Sequence, residues 1–178
     1  MQPFPHEYTV WANAGPKNDV LVRSAGLPIL ATAAPAEFDG PGDRWSPETM
    51  LMAAAANCLI LTFRAVAQAA RFPWQELACT ATGILDRVER VTRFTEVRLD
   101  ATLVVPPGGD EARALQLLEK AKSACLLTNS LNATTILQAR VVASDGQDPE
   151  DDRVEDAQHH RAENGAERAV HAEAVHQA

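Results

Sequence analysis

The chain has 178 residues, enough for one ordinary domain with a core of its own, and a formal charge of -8 from 24 acids against 16 Lys and Arg. That balance argues against nucleic acid or an anionic membrane as a partner, because phosphate binding relies on clustered cations. Three cysteines do not make the even-numbered disulfide framework of a small secreted domain, which leaves redox or nucleophilic chemistry open. The first ten residues have neither the basic nor the apolar region of a signal peptide. No run of apolar residues approaches the ~18 of a membrane span, so the expected location is cytoplasmic. His6 and the late histidines His159, His160, His171 and His176 lie at no ligand spacing from a cysteine, so no metal is expected.

In chain order, residues 6–10 and 20–22 flank a turn-rich stretch, residues 13–18, and suit an N-terminal hairpin. Residues 27–32 follow as a third strand and residues 35–45, rich in Pro, Gly and acids, as a loop. Ser46-Pro47-Glu48 is a helix start: a serine oxygen for an orphan N–H, proline at the first helical position and an acid in the positive first turn. This helix should run to about Ala70, before Pro73. From Met50 to Leu61 its only polar side chain is Asn57, so it should be covered nearly all round by other elements or by a second subunit.

The period then switches to two. Thr95, Val97, Leu99, Ala101, Leu103 and Val105 alternate with polar neighbours as a half-buried strand, pairing with residues 76–87 around a turn at 89–92. Cys79 falls in the first of these strands, where small neighbours suggest packing, and it is assigned no role. Pro106-Pro107-Gly108-Gly109 breaks the sheet, and Asp110 caps a second helix with Leu115, Leu118, Ala121 and Cys125 on one stripe. Residues 134–143 form a closing strand. From Ser144 to Ala178 the chain turns acidic and poor in large apolar groups, so residues 1–143 read as the domain and 144–178 as a disordered tail.

A cysteine on an apolar helix is usually packing, and that reading stands for Cys58 taken alone. Cys125 ends a helix, where negative partial charge disfavours a thiolate; it is a poor first nucleophile and suits a resolving role.

The segment Arg44-Trp-Ser-Pro-Glu-Thr-Met-Leu-Met-Ala-Ala-Ala-Ala-Asn-Cys58 and the segment Ala121-Lys-Ser-Ala-Cys125 resemble the two signature stretches of the OsmC/Ohr family of hydroperoxide reductases. The likeness, with the order of elements, covers residues 6–143. It implies an α+β fold in which antiparallel sheets wrap two central helices in an interlocked homodimer, with paired active sites at the interface. It implies a thiol peroxidase in which Cys58 is peroxidatic, Cys125 resolves, and Glu48 holds an arginine against the Cys58 thiolate. A cysteine with an ordinary pKa near ~8.5 is mostly thiol at neutral pH, hence the need for a cation. The chain departs from the family in its first turn, Ala14-Gly-Pro-Lys-Asn18, which holds no arginine. Arg44 is the favoured candidate and Arg23 the second. It departs also at Asn57, where a small residue is usual, and at Leu126, where proline is common.

The resemblance implies organic hydroperoxides as substrates, a lipoyl protein or thioredoxin as dithiol reductant and no cofactor, with a pocket of Met50, Leu51, Ala54 and Phe63. The rival is a non-enzymatic dimer of the same fold that binds an apolar ligand or protein partner, or senses oxidation. One constraint comes from geometry. Along a continuous helix, Glu48 and Cys58 stand about 15 Å apart, so either the helix begins late or the acid and thiol of one site come from different chains.

Overall fold

A computed structural model describes residues 3–144, so the acidic segment beyond falls outside the described residues. Three short strands, β1 (Trp11–Asn13), β2 (Val20–Arg23) and β3 (Leu30–Thr32), form an antiparallel sheet in that order. The expected hairpin is present, but its first strand is residues 11–13 rather than 6–10, with Asn13 opposite Leu21 and Trp11 opposite Arg23. Pairing spreads outward from the turn, so residues nearest it are the ones that pair. The third strand also starts later than expected. Gly26 takes a positive φ of 74° and the Leu27 N–H bonds the Ser24 carbonyl at 3.2 Å, so the chain is still turning there.

Helix α1 (Pro47–Ala70) begins where its capping residues place it. The Ser46 hydroxyl accepts from the Thr49 N–H at 3.2 Å, and the Thr49 hydroxyl accepts from the Ser46 N–H at 2.9 Å, a reciprocal cap with threonine in the usual Glu or Gln position. Arg71, in the left-handed region, closes the other end by donating to the Ala67 and Gln68 carbonyls. Ser46→Ala should cost about 0.5–2 kcal/mol, read as a lower urea midpoint with unchanged slope.

Strands β4 (Glu76–Val88) and β5 (Val91–Val105) form a long hairpin closed by Glu89 and Arg90, both at positive φ. The alternation along β5 holds from Val97 to Val105, whose inward residues are buried while Arg98 and Asp100 are exposed. It fails at Thr95. The register passes from Ile84–Glu96 to Leu85–Phe94, so Thr95 is the extra residue of a bulge, its hydroxyl bonded to the Ile84 carbonyl at 3.3 Å. The slip brings Phe94 beneath Gly83, where an added Cβ would stand 2.6 Å from the Phe94 ring and 2.7 Å from the Met52 sulfur.

Asp110 caps helix α2 (Glu111–Ala124) by accepting from the Arg113 N–H at 2.9 Å, and a single further turn, α3 (Leu126–Asn129), follows directly. Strand β6 (Thr134–Ala143) then lies parallel to β5, not antiparallel, because the chain crosses over through α2 and α3 before returning to the sheet. The fold is α+β, with β4-β5-β6 covered on one face by α1 and α2. The buried stripe of α2 is Ala114, Leu117, Leu118 and Ala121; Leu115, expected on it, is 40% exposed.

On α1 only Ala55, Leu59, Phe63 and Ala67 are fully buried, one line at every fourth residue. The rest of this apolar helix is half-buried or exposed, Leu61 at 50%. By length and composition α1 reaches what a bilayer span requires, which corrects the expectation that no segment would.

Candidate functional site

Cys58 lies midway along α1 and Cys125 at the junction of α2 and α3, and the packing of α1 on both brings the two thiols near enough for each to act on the other's ionisation. Cys125 is fully buried, whereas Cys58 keeps part of its surface open. One turn after Cys58, the Thr62 hydroxyl stands 3.9 Å from its sulfur. Behind Cys125, the Thr128 hydroxyl donates to the Cys125 carbonyl at 3.2 Å, and the Asn129 N–H donates to the same oxygen at 3.1 Å.

These surroundings act in opposite directions on the two thiols. Burial pushes the Cys58 thiol above its ordinary value and the neighbouring Cys125 thiol pushes it further, against weaker lowering by Leu127 and Thr62. Burial would also raise Cys125, but the Thr128 hydroxyl and N–H, then the Cys58 thiol and the Leu127 N–H, outweigh it and draw the thiol down. Cys125 ends α2 and is also the residue before α3. Cys79, on the inner face of β4, is pushed up to about 11 by burial and then by Asp100 and Cys125, which keeps it a thiol.

The expected clamp of Arg44 on Glu48 is not formed within the chain. Arg44 donates to Asp19 at 3.1 Å and to Asp43 at 3.0 Å, carboxylates that sit closer to its loop than the helix does. Arg23 bonds Asn13 at 2.7 Å across β1 and β2, so neither candidate arginine is bonded to Cys58. Glu48 instead turns one oxygen, Oε2, into a buried position with no hydrogen-bond partner among the described residues. Because α1 starts at Pro47, a late helix start is excluded, and Glu48 and Cys58 of one chain stay about 15 Å apart.

Glu48 borders two clefts. One, of about 260 Å³, runs between the start of α1 and the bulged end of the hairpin, walled by Phe38, Met52, Leu85 and Phe94. The other, of about 550 Å³, separates α1 from the small sheet and includes Met50, Val20, Val22 and Phe38. Of the expected pocket residues, Met50 lines a cleft, Leu51 is half-buried and Ala54 is exposed. Phe63 is corrected: it lies wholly inside the core, its ring edge-on to Trp74 at 5.3 Å, because its place on the buried line of α1 turns it toward the sheet. Sequence reasoning missed Thr62, Thr128 and the Phe94 wall. Four-residue spacing along the helix could have signalled Thr62; Phe94 follows only from the bulge.

The family model described as OsmC-like protein matches residues 40–139, a span holding Arg44, Glu48, Cys58 and Cys125, and the chain belongs to that family. It is 29% identical over 137 residues to the uncharacterized protein YmaD of Bacillus subtilis, covering 75% of this chain and 91% of YmaD. Among solved structures, an OsmC-like protein of unknown function from Vibrio cholerae superposes with a TM-score of 0.71 at 17% identity, over 76% of this chain and all of that one (100%). An organic hydroperoxide resistance protein OsmC from Legionella pneumophila gives 0.62 at 25% identity, over 77% and 98%. An organic hydroperoxide resistance protein from Elizabethkingia anophelis gives 0.63 at 24% identity, over 79% and 100%. The architecture is thus the OsmC-like fold.

Proposed function

We propose that the chain is a thiol peroxidase that reduces organic hydroperoxides to alcohols through Cys58, with Cys125 closing a disulfide on the oxidised sulfur. The observation that carries this reading is the proximity of the two thiols where α1 packs against the α2–α3 junction, near enough for each to act on the other's ionisation. Access divides the roles: Cys58 keeps open surface for a hydroperoxide, and Cys125 is sealed from solvent beside it. The Cys58 thiolate attacks the distal peroxide oxygen, the O–O bond breaks, and alcohol leaves. Cys125 then displaces water from the Cys58 sulfenic acid. The two electrons come from the thiols, so no cofactor is needed, and a dithiol such as a lipoyl protein or thioredoxin would restore them.

The functional unit in this reading is a cytoplasmic homodimer. A second copy would cover the open sides of α1 and the exposed Trp11, Phe38 and Trp45, and would bring Cys58 of one chain toward Glu48 and the apolar cleft of the other. The buried, unpartnered Glu48 oxygen then awaits a cation from across the interface. The cleft walls favour an alkyl or aryl body over hydrogen peroxide.

The test is one equivalent of cumene hydroperoxide added to reduced protein, followed by intact mass and peptide mapping. A Cys58–Cys125 disulfide and one equivalent of cumyl alcohol are expected. Unchanged thiols would remove the peroxidase and favour the non-enzymatic dimer, a reading supported by the lack of a bonded arginine at Cys58.

A further inference from the structure

On α1 the hydroxyl of Thr62, one turn beyond Cys58, stands 3.9 Å from the Cys58 sulfur. Both residues are half-buried on the flank of the line that Leu59 and Phe63 bury, while Asn57 and Leu61, one residue earlier on each turn, are exposed. A serine or threonine in a helix commonly turns its hydroxyl back to the carbonyl four residues earlier. This chain does so elsewhere: Ser123 donates to the Glu119 carbonyl at 2.9 Å and Ser130 to the Leu126 carbonyl at 2.8 Å. Thr62 does not. Among the described residues its hydroxyl has a single hydrogen-bond partner, the Cys58 sulfur.

Which atom donates depends on the state of that sulfur. A thiol can give its hydrogen to the threonine oxygen, a weak bond for which 3.9 Å is loose. A thiolate has no hydrogen to give, so only Thr62 can donate, and a bond to an ion is shorter and about twice as strong. The contact therefore favours the charged form, against burial, which pushes the Cys58 thiol up. Neither Arg23 nor Arg44 is bonded to Cys58, and the titratable group facing it from the α2–α3 junction, Cys125, brings no positive charge.

Building on the peroxidase reading, we propose that Thr62 is a positioning residue for the Cys58 thiolate: its hydroxyl, not engaged by the helix backbone, donates to the sulfur once the proton has gone and holds the anion on the open flank of α1. The proton leaves to solvent across the open surface of Cys58. The thiolate takes the distal oxygen, the O–O bond breaks, and the alkoxide takes a proton from water to leave as alcohol. A hydrogen bond also makes a thiolate less nucleophilic. With a Brønsted coefficient of about 0.4–0.5, a donor that raises the thiolate fraction about tenfold lowers the reactivity of each thiolate only about threefold, so the net gain at neutral pH is about threefold.

The experiment is the rate of Cys58 alkylation by iodoacetamide against pH, with site occupancy read by peptide mapping, beside stopped-flow oxidation by cumene hydroperoxide. Thr62→Val keeps the shape of the side chain without its hydroxyl; Thr62→Ser keeps the hydroxyl without the methyl. The valine variant should alkylate about threefold more slowly at neutral pH and about threefold faster on the high-pH plateau, so that its curve crosses that of the wild type. Its first oxidation at neutral pH should slow by a similar factor, and Thr62→Ser should restore both. A packing role would instead scale the rate equally at every pH. Curves that coincide or run parallel, or a serine curve that follows the valine one, would overturn the proposal. Thr62→Ala, also without a hydroxyl, gives the same reading where the urea midpoint shows Thr62→Val to be unfolded. A wild type inert to hydroperoxide would overturn the peroxidase reading alone, since the alkylation curves judge the Thr62 hydrogen bond without any peroxide.

Discussion

Cys58→Ser is expected to bring cumene hydroperoxide turnover down to the uncatalysed background. Serine keeps the size and place of the side chain on α1, so the helix and its buried line should stand. Its hydroxyl, however, stays protonated at neutral pH and does not attack a peroxide oxygen; sulfur does, as thiolate. Cys125→Ser should behave differently: one oxidation of Cys58 and then arrest as sulfenic acid, trapped by dimedone, because the resolving thiol is gone. Cys79 cannot substitute, since its thiol, pushed up to about 11, offers almost no thiolate at neutral pH. The measurement is dithiol-coupled turnover with each variant at equal concentration. Full turnover by Cys58→Ser would remove the reaction from α1 altogether.

The largest effect on stability should come from Phe63→Ala, at about 3–5 kcal/mol. Phe63 has no exposed surface and is the largest fully buried side chain of the core, set edge-on to Trp74 with ring planes at 80°. Its neighbours along α1, Leu59 and Ala67, are also fully buried and belong to a continuous helix, so the backbone has little freedom to close the cavity. Urea unfolding should show a lower midpoint at nearly unchanged slope. The variant also decides between two roles for this side chain. A pocket residue would alter the rates for bulky hydroperoxides and leave stability near wild type; a core residue does the reverse at temperatures where the variant is folded.

Much of the scaffold could be read along the chain because its signals are local. Ser46, Pro47 and Glu48 specify a helix start through hydrogen bonds and backbone angles within one turn, and the structure begins α1 there. Alternation from Val97 to Val105 needs only the pleat of one strand and one wet face. The over-apolar Met50–Leu61 stretch likewise announced a helix with more than one face to cover, and a single chain buries only one line of it.

The site was legible in its residues but not in its electrostatics. Cys58 and Cys125 could be singled out, yet their proximity depends on α1 packing against the α2–α3 junction, sixty-odd residues away along the chain. Four residues, Leu126–Asn129, are too few to give a periodic signal, so the turn that follows Cys125 was invisible in the sequence. Arg44 shows the same limit. Its neighbour Asp43 is adjacent in sequence, but Asp19 reaches it only because the small sheet folds back beside the loop, and that carboxylate takes the guanidinium from Glu48. The sequence by itself determined the elements, the capping and the identity of the two thiols, since these follow from short-range bonding and periodicity. The approach of the two thiols, the partner Arg44 finds, the parallel pairing of β6 and the bulge that swings Phe94 toward Met52 were decided only by tertiary structure. Each is set by groups far apart in the chain whose interaction energies exist only once packing has excluded water and fixed their distances.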